Sequence, residues 1–190
     1  MIQYLNSTDT QWFLFINGIH STFFDPIMYW FSDKWIWVPM YLIIAFYIIK
    51  HYKIQGVIML LFTAIVIALC DQIASHLIKN EVLRLRPSHE PALAGLVHLS
   101  KAGPGGMYGF VSSHAANAFG LATFLYFVLD EHFNLMKYWL YIWAIMVSYS
   151  RIYNGVHYPG DVVTAALIGV LIGWGTSKLF VIEERIRLKT

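Results

Sequence analysis

Charge is what this sequence has least of. Asp, Glu, Lys and Arg make up 13% of its 190 residues, against roughly 25% in a soluble domain. With 58% hydrophobic residues and a mean hydropathy of +0.56, an ordinary soluble domain is excluded and an integral membrane protein is implied. Cys70 is the only cysteine, which excludes an internal disulfide. Its apolar neighbours make it a packing residue rather than a nucleophile. The net charge of +2 is too small to suggest a nucleic-acid partner. The first residues, MIQYLNSTDT, carry no basic cluster, so no cleavable signal peptide is read. There is no short-period repeat and no low-complexity tail. His89, His98 and His114 lack a metal-ligand spacing and their loop holds no cysteine, so neither a metal nor another cofactor is expected.

Apolar runs fill the chain instead. Those at residues 36–49, 57–78, 115–129, 138–149 and 162–182 are candidate membrane helices. A bilayer core asks for about 20 residues of helix, so the first and fourth need their flanking residues to reach it. The abundant Trp, Tyr and Phe suit interfacial belts. Residues 10–31 are punctuated by Asn17-Gly18, Asp25-Pro26 and Ser32-Asp33. They read as two short amphipathic helices lying in the interface, within an N-terminal segment 1–33; a sixth span is the alternative. Residues 88–111, rich in glycine and proline, form the one long loop, of the kind that becomes a lid or binding loop. The expected fold is all-α: one domain, residues 1–190, built as a polytopic transmembrane bundle of five to six spans.

Alternating spans divide the basic residues between two sides. Lys50, Lys53, Lys137, Lys178, Arg185, Arg187 and Lys189 fall on one; Lys34, Lys79, Arg84, Arg86, Lys101 and Arg151 fall on the other. If Lys79, Arg86 and Arg151 serve a site rather than orientation, the first side is clearly the richer. The positive-inside rule then places the second side outside the cytoplasm.

That second side collects three strings: Lys79…Arg86-Pro87, then Ser112-Ser113-His114, then Ser150-Arg151…His157…Asp161. Ionisable groups at the ends of apolar helices are costly, and by default they mark a functional site. If its helix continues, Lys79 shares a face with Arg86, two turns on; Pro87 should end the helix at Arg86. Snorkelling or anchoring is the plainer role for Lys79. Ser112 and Ser113 sit where a helix begins, suited both to capping and to holding an anion on free N–H groups. Arg151 can fork onto phosphate oxygens. Asp161 lies four residues after His157, where a carboxylate can fix one imidazole nitrogen and leave the other as nucleophile. Such a His–Asp pair alone is more often structural; its meeting with Arg151 and the other strings reverses that reading. Asp71, inside the second run, should face the bundle interior and pair with Lys79 or a polar neighbour, either as support for the site or, equally, as a buried structural hydrogen bond.

Lys-x6-Arg-Pro, Ser-x-His and Ser-Arg-x5-His-x3-Asp together resemble the signature of the type 2 phosphatidic acid phosphatases, the PAP2 superfamily, and the chain looks like a compact bacterial membrane member. The middle string departs from the family's Pro-Ser-Gly-His: here it reads Val111-Ser112-Ser113-His114. The resemblance implies that His157 attacks phosphorus and forms a phosphohistidine. It implies that His114 protonates the leaving oxygen and then activates water, and that Asp161 orients His157. Lys79, Arg86 and Arg151, with Ser112, Ser113 or nearby N–H groups, would hold the phosphate oxygens in place of a metal. Vanadium haloperoxidases share this site in soluble proteins; the membrane character here argues against their activity.

The implied substrate is an amphiphilic lipid phosphate: undecaprenyl pyrophosphate, a lipid A phosphate or a phosphatidyl phosphate. The expected setting is the bacterial cytoplasmic membrane with the site facing the periplasm, and no obligatory protein partner is read. The alternatives are a phosphotransferase, with an acceptor hydroxyl replacing water, and a non-catalytic transporter or scaffold. A transporter would show inverted repeats and broken helices at the midplane, whereas here the ionisable groups gather at one face.

Overall fold

A computed structural model describes residues 2–187, and among them the chain is helical with no strand beyond an isolated bridge. Two short helices, α1 (Ile2–Gly18) and α2 (Phe24–Ser32), come first. Five more follow: α3 (Val38–Tyr52), α4 (Ile54–Val82), α5 (Ser113–Val128), α6 (Asn134–Tyr153) and α7 (Pro159–Arg187).

Among the described residues, three stretches have the length and apolarity to cross a bilayer, Lys34–Tyr52, Ile54–Val82 and Pro159–Arg187. Length and apolarity alone therefore do not confirm the five to six spans expected. The unconfirmed ones are α5 and α6, whose side chains face other helices more than the outside. α5 is the central helix, packed against α4, α6 and α7, and Ala115, Ala116, Ala118, Ala122 and Phe124 on it are buried. A helix walled by protein can be short and can carry polar residues.

Small residues bring α5 and α7 together. A methyl group at Gly169 would lie 2.3 Å from the carbonyl of Ala116, and one at Gly173 would lie 2.5 Å from that of Gly120. The two backbones are therefore in direct contact, as small residues permit in membrane bundles.

α4 is not uniform. After Asp71 it loosens into a π-helical stretch, Gln72–Ile78, then recovers one α turn, Lys79–Val82. Such π segments are frequent at functional sites. The helix stops at Leu83, which is left-handed with φ +49°. This is four residues earlier than Pro87 alone requires, so Lys79 and Arg86 do not share a helix face. Arg86 is extended instead (φ −69°, ψ 154°), and its strand-like segment pairs with the end of the long loop. Arg86 N–H donates to the Met107 carbonyl (3.0 Å) and Gly109 N–H to the Arg84 carbonyl (2.8 Å).

The N-terminal helices dock on the α6–α7 turn by polar contacts. Asn17 Nδ2 donates to the carbonyls of Tyr153 (2.8 Å) and His98 (3.0 Å). Tyr153 Oη donates to Asp25 Oδ1 (2.8 Å), and Asn154 Nδ2 to the Met28 carbonyl (3.0 Å). His98, stacked on His20 with ring centroids 3.8 Å apart, reaches the same Asp25 oxygen at 2.9 Å.

Candidate active site

The three strings converge at the end of the bundle where α4 stops, α5 and α7 begin and α6 ends. The charges of Lys79, Arg86 and Arg151 act on both His114 and His157.

His157 sits in the turn between α6 and α7 and is 1% exposed. Asp161, in the first turn of α7, is 0% exposed. Its Oδ2 accepts the Tyr158 N–H at 3.0 Å and lies 3.4 Å from His157 Nδ1. That is an ion-pair distance rather than a formed hydrogen bond, and Nδ1 has no hydrogen-bond partner. Burial drives the His157 pKa well below its ordinary 6.5, and the cations Arg151, Arg86 and Lys79 push it the same way. A backbone hydrogen bond at Gly109 opposes them weakly. The ring is therefore neutral at pH 7, with one nitrogen holding a free lone pair.

Arg151 is 8% exposed. Its Nη1 donates to Ser32 Oγ at the end of α2, and its Nε is buried without a partner. Arg86 is held by its Nε, which donates to the Tyr108 carbonyl at 3.0 Å. The glycines of the long loop make room for it: a methyl at Gly105, where φ is +70°, would meet Arg86 Nη1 at 2.3 Å.

The two serines divide. Ser112 stands at the N-cap position of α5 without capping it; its Oγ is buried and unpartnered, while its N–H donates to the Asp161 carbonyl (3.2 Å). Ser113 turns toward α4, with its Oγ 2.7 Å from that of Ser75, which donates to Asp71 Oδ1 at 3.3 Å. Asp71 thus finds the polar neighbour expected of it. Among the other histidines, His89 Nδ1 bonds Ser88 Oγ (3.1 Å) and His98 belongs to the N-terminal contacts. Among the described residues, no three His, Cys, Asp or Glu side chains group as metal ligands.

A cavity of about 710 Å³ opens beside His114 and Ser113. Its walls come from α3, α4, α5 and α6 and are apolar along most of their length, with Tyr41, Ile48, Ile67, Leu121 and Trp143 among them. Asp71 and Asn117 are polar exceptions in the same wall.

Sequence reasoning missed Arg84, Asp9 and Ser32. Arg84 Nη1 donates to Asp161 Oδ1 at 2.7 Å and Nη2 to Asp9 Oδ2 at 2.7 Å. A signal for Arg84 existed: Pro87 makes its predecessor extended, and in an extended chain residues two apart share a side, so Arg84 should accompany Arg86. Nothing local marks Asp9 or Ser32, which arrive through the docking of α1 and α2.

Fold and site together define a membrane-embedded phosphatase. The PAP2 superfamily profile matches residues 55–184. A lipid A 4'-phosphatase from Bacteroides thetaiotaomicron is 42% identical, over 92% of this chain and 77% of its own. Another from Porphyromonas gingivalis is 30% identical, over 94% and 75%. The crystal structure of a transmembrane PAP2-type phosphatidylglycerolphosphate phosphatase from Bacillus subtilis superposes with a TM-score of 0.67 at 23% identity, covering 96% of this chain and 88% of that one. The chain belongs to the PAP2 superfamily, and it is a lipid phosphatase.

Proposed function

We propose that this protein removes a phosphate from lipid A, without a metal, through a phosphohistidine on His157. The observation that carries the reading is the meeting of a long apolar cavity with His114 beside a buried neutral imidazole and three cations. A polar head with an apolar tail fits that junction. The choice of lipid A over undecaprenyl pyrophosphate or a phosphatidyl phosphate, which the sequence leaves open, rests on the two lipid A 4'-phosphatase relatives.

In this reading Lys79, Arg86 and Arg151 hold the phosphate oxygens, with Ser112 Oγ and the first N–H groups of α5 completing the cradle. Ser113 serves the cavity wall through Ser75 and Asp71. His157 Nε2 attacks phosphorus; the P–N bond forms as the ester P–O bond breaks, and His114, protonated once the bound phosphate's negative charge offsets the nearby cations, gives that proton to the departing oxygen. Asp161 stabilises the positive ring. Water then attacks phosphorus while His114 takes its proton, and the P–N bond breaks to release inorganic phosphate. Charge stabilisation and positioning do most of the work in phosphoryl transfer, which fits a site whose parts are mainly fixed cations. The N-terminal helices lie in the interface, and the site faces the periplasmic side of a bacterial cytoplasmic membrane, in keeping with the basic residues gathered at the opposite end.

The test is phosphate release by purified protein in detergent with EDTA present, on lipid A, undecaprenyl pyrophosphate and phosphatidic acid, beside His157→Ala. Release from lipid A by the wild type alone is expected. Loss of activity in EDTA restored by a divalent ion would overturn the metal-free mechanism, and preference for another lipid would overturn the substrate.

A further inference from the structure

Asp161 has a second partner besides His157, and that partner has one of its own. We infer that Asp9 and Arg84 form a positioning relay that fixes the orientation and charge of Asp161, making the first helix part of the catalytic apparatus. The inference rests on the reading of His157 as nucleophile and Asp161 as its orienting carboxylate.

The geometry leaves little freedom. The Arg84 guanidinium forks, one nitrogen on Asp161 Oδ1 and one on Asp9 Oδ2, both at 2.7 Å. Its flat face lies 4.0 Å from the centre of the Tyr158 ring, next to His157. The other Asp9 oxygen accepts the Gly160 N–H at 2.8 Å, one residue before Asp161. Asp9 therefore grips both Arg84 and the backbone that carries Asp161. With Oδ1 taken by Arg84 and Oδ2 by the Tyr158 N–H, the carboxylate cannot turn without breaking a bond. The oxygen that faces His157 Nδ1 is Oδ2.

Charge supplies the second half of the argument. Asp9, Arg84 and Asp161 sum to one negative charge, next to a ring that becomes positive when it bonds phosphorus. Without Asp9, Arg84 would neutralise Asp161 and the ring would face a net-neutral pair. A tie meant only to dock α1 would need the Asp9–Gly160 bond alone. Here the arginine arm runs on into the buried carboxylate beside the nucleophile.

The test uses the full chain in detergent with lipid A micelles, measuring kcat, KM and thermal unfolding for wild type, Asp9→Asn, Asp9→Glu, Gly160→Ala and His157→Ala. Gly160→Ala alters no charged group, yet its methyl would sit 2.7 Å from Asp9 Oδ2 and displace it. Residues that orient metal-ligating side chains typically cost about 10–100-fold when lost, and a carboxylate that orients a reacting imidazole is held to the same scale. We expect Asp9→Asn and Gly160→Ala to lower kcat by about tenfold or more with KM within about twofold, and Asp9→Glu to recover most of the loss. Wild-type kcat in folded Asp9→Asn or Gly160→Ala, or a loss confined to KM, would overturn the relay while an inactive His157→Ala leaves the nucleophile standing. An Asp9→Asn protein that does not fold leaves Gly160→Ala to decide. An active His157→Ala would bring down the underlying mechanism instead.

Discussion

Gly109 offers a sensitive probe of how closely the site is built. Replacing it with Ala adds one methyl, placed 3.1 Å from Arg86 Cγ and 3.1 Å from Asp161 Oδ2. Ordinary contact begins at 3.4 Å, so both neighbours must retreat by several tenths of an ångström. The retreating oxygen is the one that faces His157 Nδ1, already 3.4 Å away. A misplacement of 1 Å can cost about 100-fold, so a shift of about a third of that predicts a loss of roughly four- to fivefold in kcat, near 0.9 kcal/mol of barrier. Overpacking costs about 1–3 kcal/mol of stability, which a membrane bundle of this size should survive. The assay is steady-state phosphate release from lipid A micelles, with thermal unfolding as the check on folding. Unchanged kcat in a folded Gly109→Ala protein would refute the claim that Arg86, Gly109 and Asp161 are packed to catalytic tolerance.

His114→Ala should slow turnover most for substrates with poor leaving groups and least for an aryl phosphate; equal losses across leaving-group pKa would count against proton donation. Because the folded-state pKa of His157 is depressed, the unfolded chain binds the extra proton first as pH falls. Thermal stability should therefore be level above about pH 6.5 and decline below it, with His157→Gln showing a shallower decline; identical acid profiles would argue against a buried neutral ring. Filling the cavity with Leu121→Trp should raise KM for long-chain lipid phosphates while sparing short-chain ones, and equal effects on both would separate the cavity from the tail.

Much of the site could be read from the chain because its chemistry is conspicuous there. Cations, imidazoles and a carboxylate stand out against apolar runs, and alternating spans bring them to one end. What stayed hidden depends on backbone detail. Leu83 ends α4 in a left-handed turn although nothing in the sequence marks it, since Pro87 constrains only its immediate predecessor. Arg84 looked like one more charge on its side of the membrane; Pro87 hints that it accompanies Arg86, but its pairing with Asp161 and Asp9 depends on the docking of α1 and α7. Asp9 is invisible to local reasoning, being brought to Asp161 by the docking of α1. Five to six spans are not confirmed by length and apolarity alone, because α5 is short and its apolar side chains are largely covered by α4, α6 and α7. Ser112 and Ser113 look equivalent in the sequence, yet Ser113 Oγ meets Ser75 on α4 while Ser112 Oγ is buried without a partner.

The direct backbone contact of α5 with α7 has a mechanical consequence. α5 carries His114 at its first turn and α7 carries Asp161 at its own, so the proposed proton donor and the proposed orienting carboxylate are mounted on two rods with almost no cushion of side chain between them. Bilayers differ in thickness and lateral pressure, and helices answer by tilting. Rods joined along Gly120, Gly169 and Gly173 can tilt only as a pair, so deformation of the surrounding lipid carries the two groups together instead of pulling them apart. Turnover should then hold nearly constant in bilayers of different acyl length, and a bulky residue at Gly173 should make it depend on bilayer thickness.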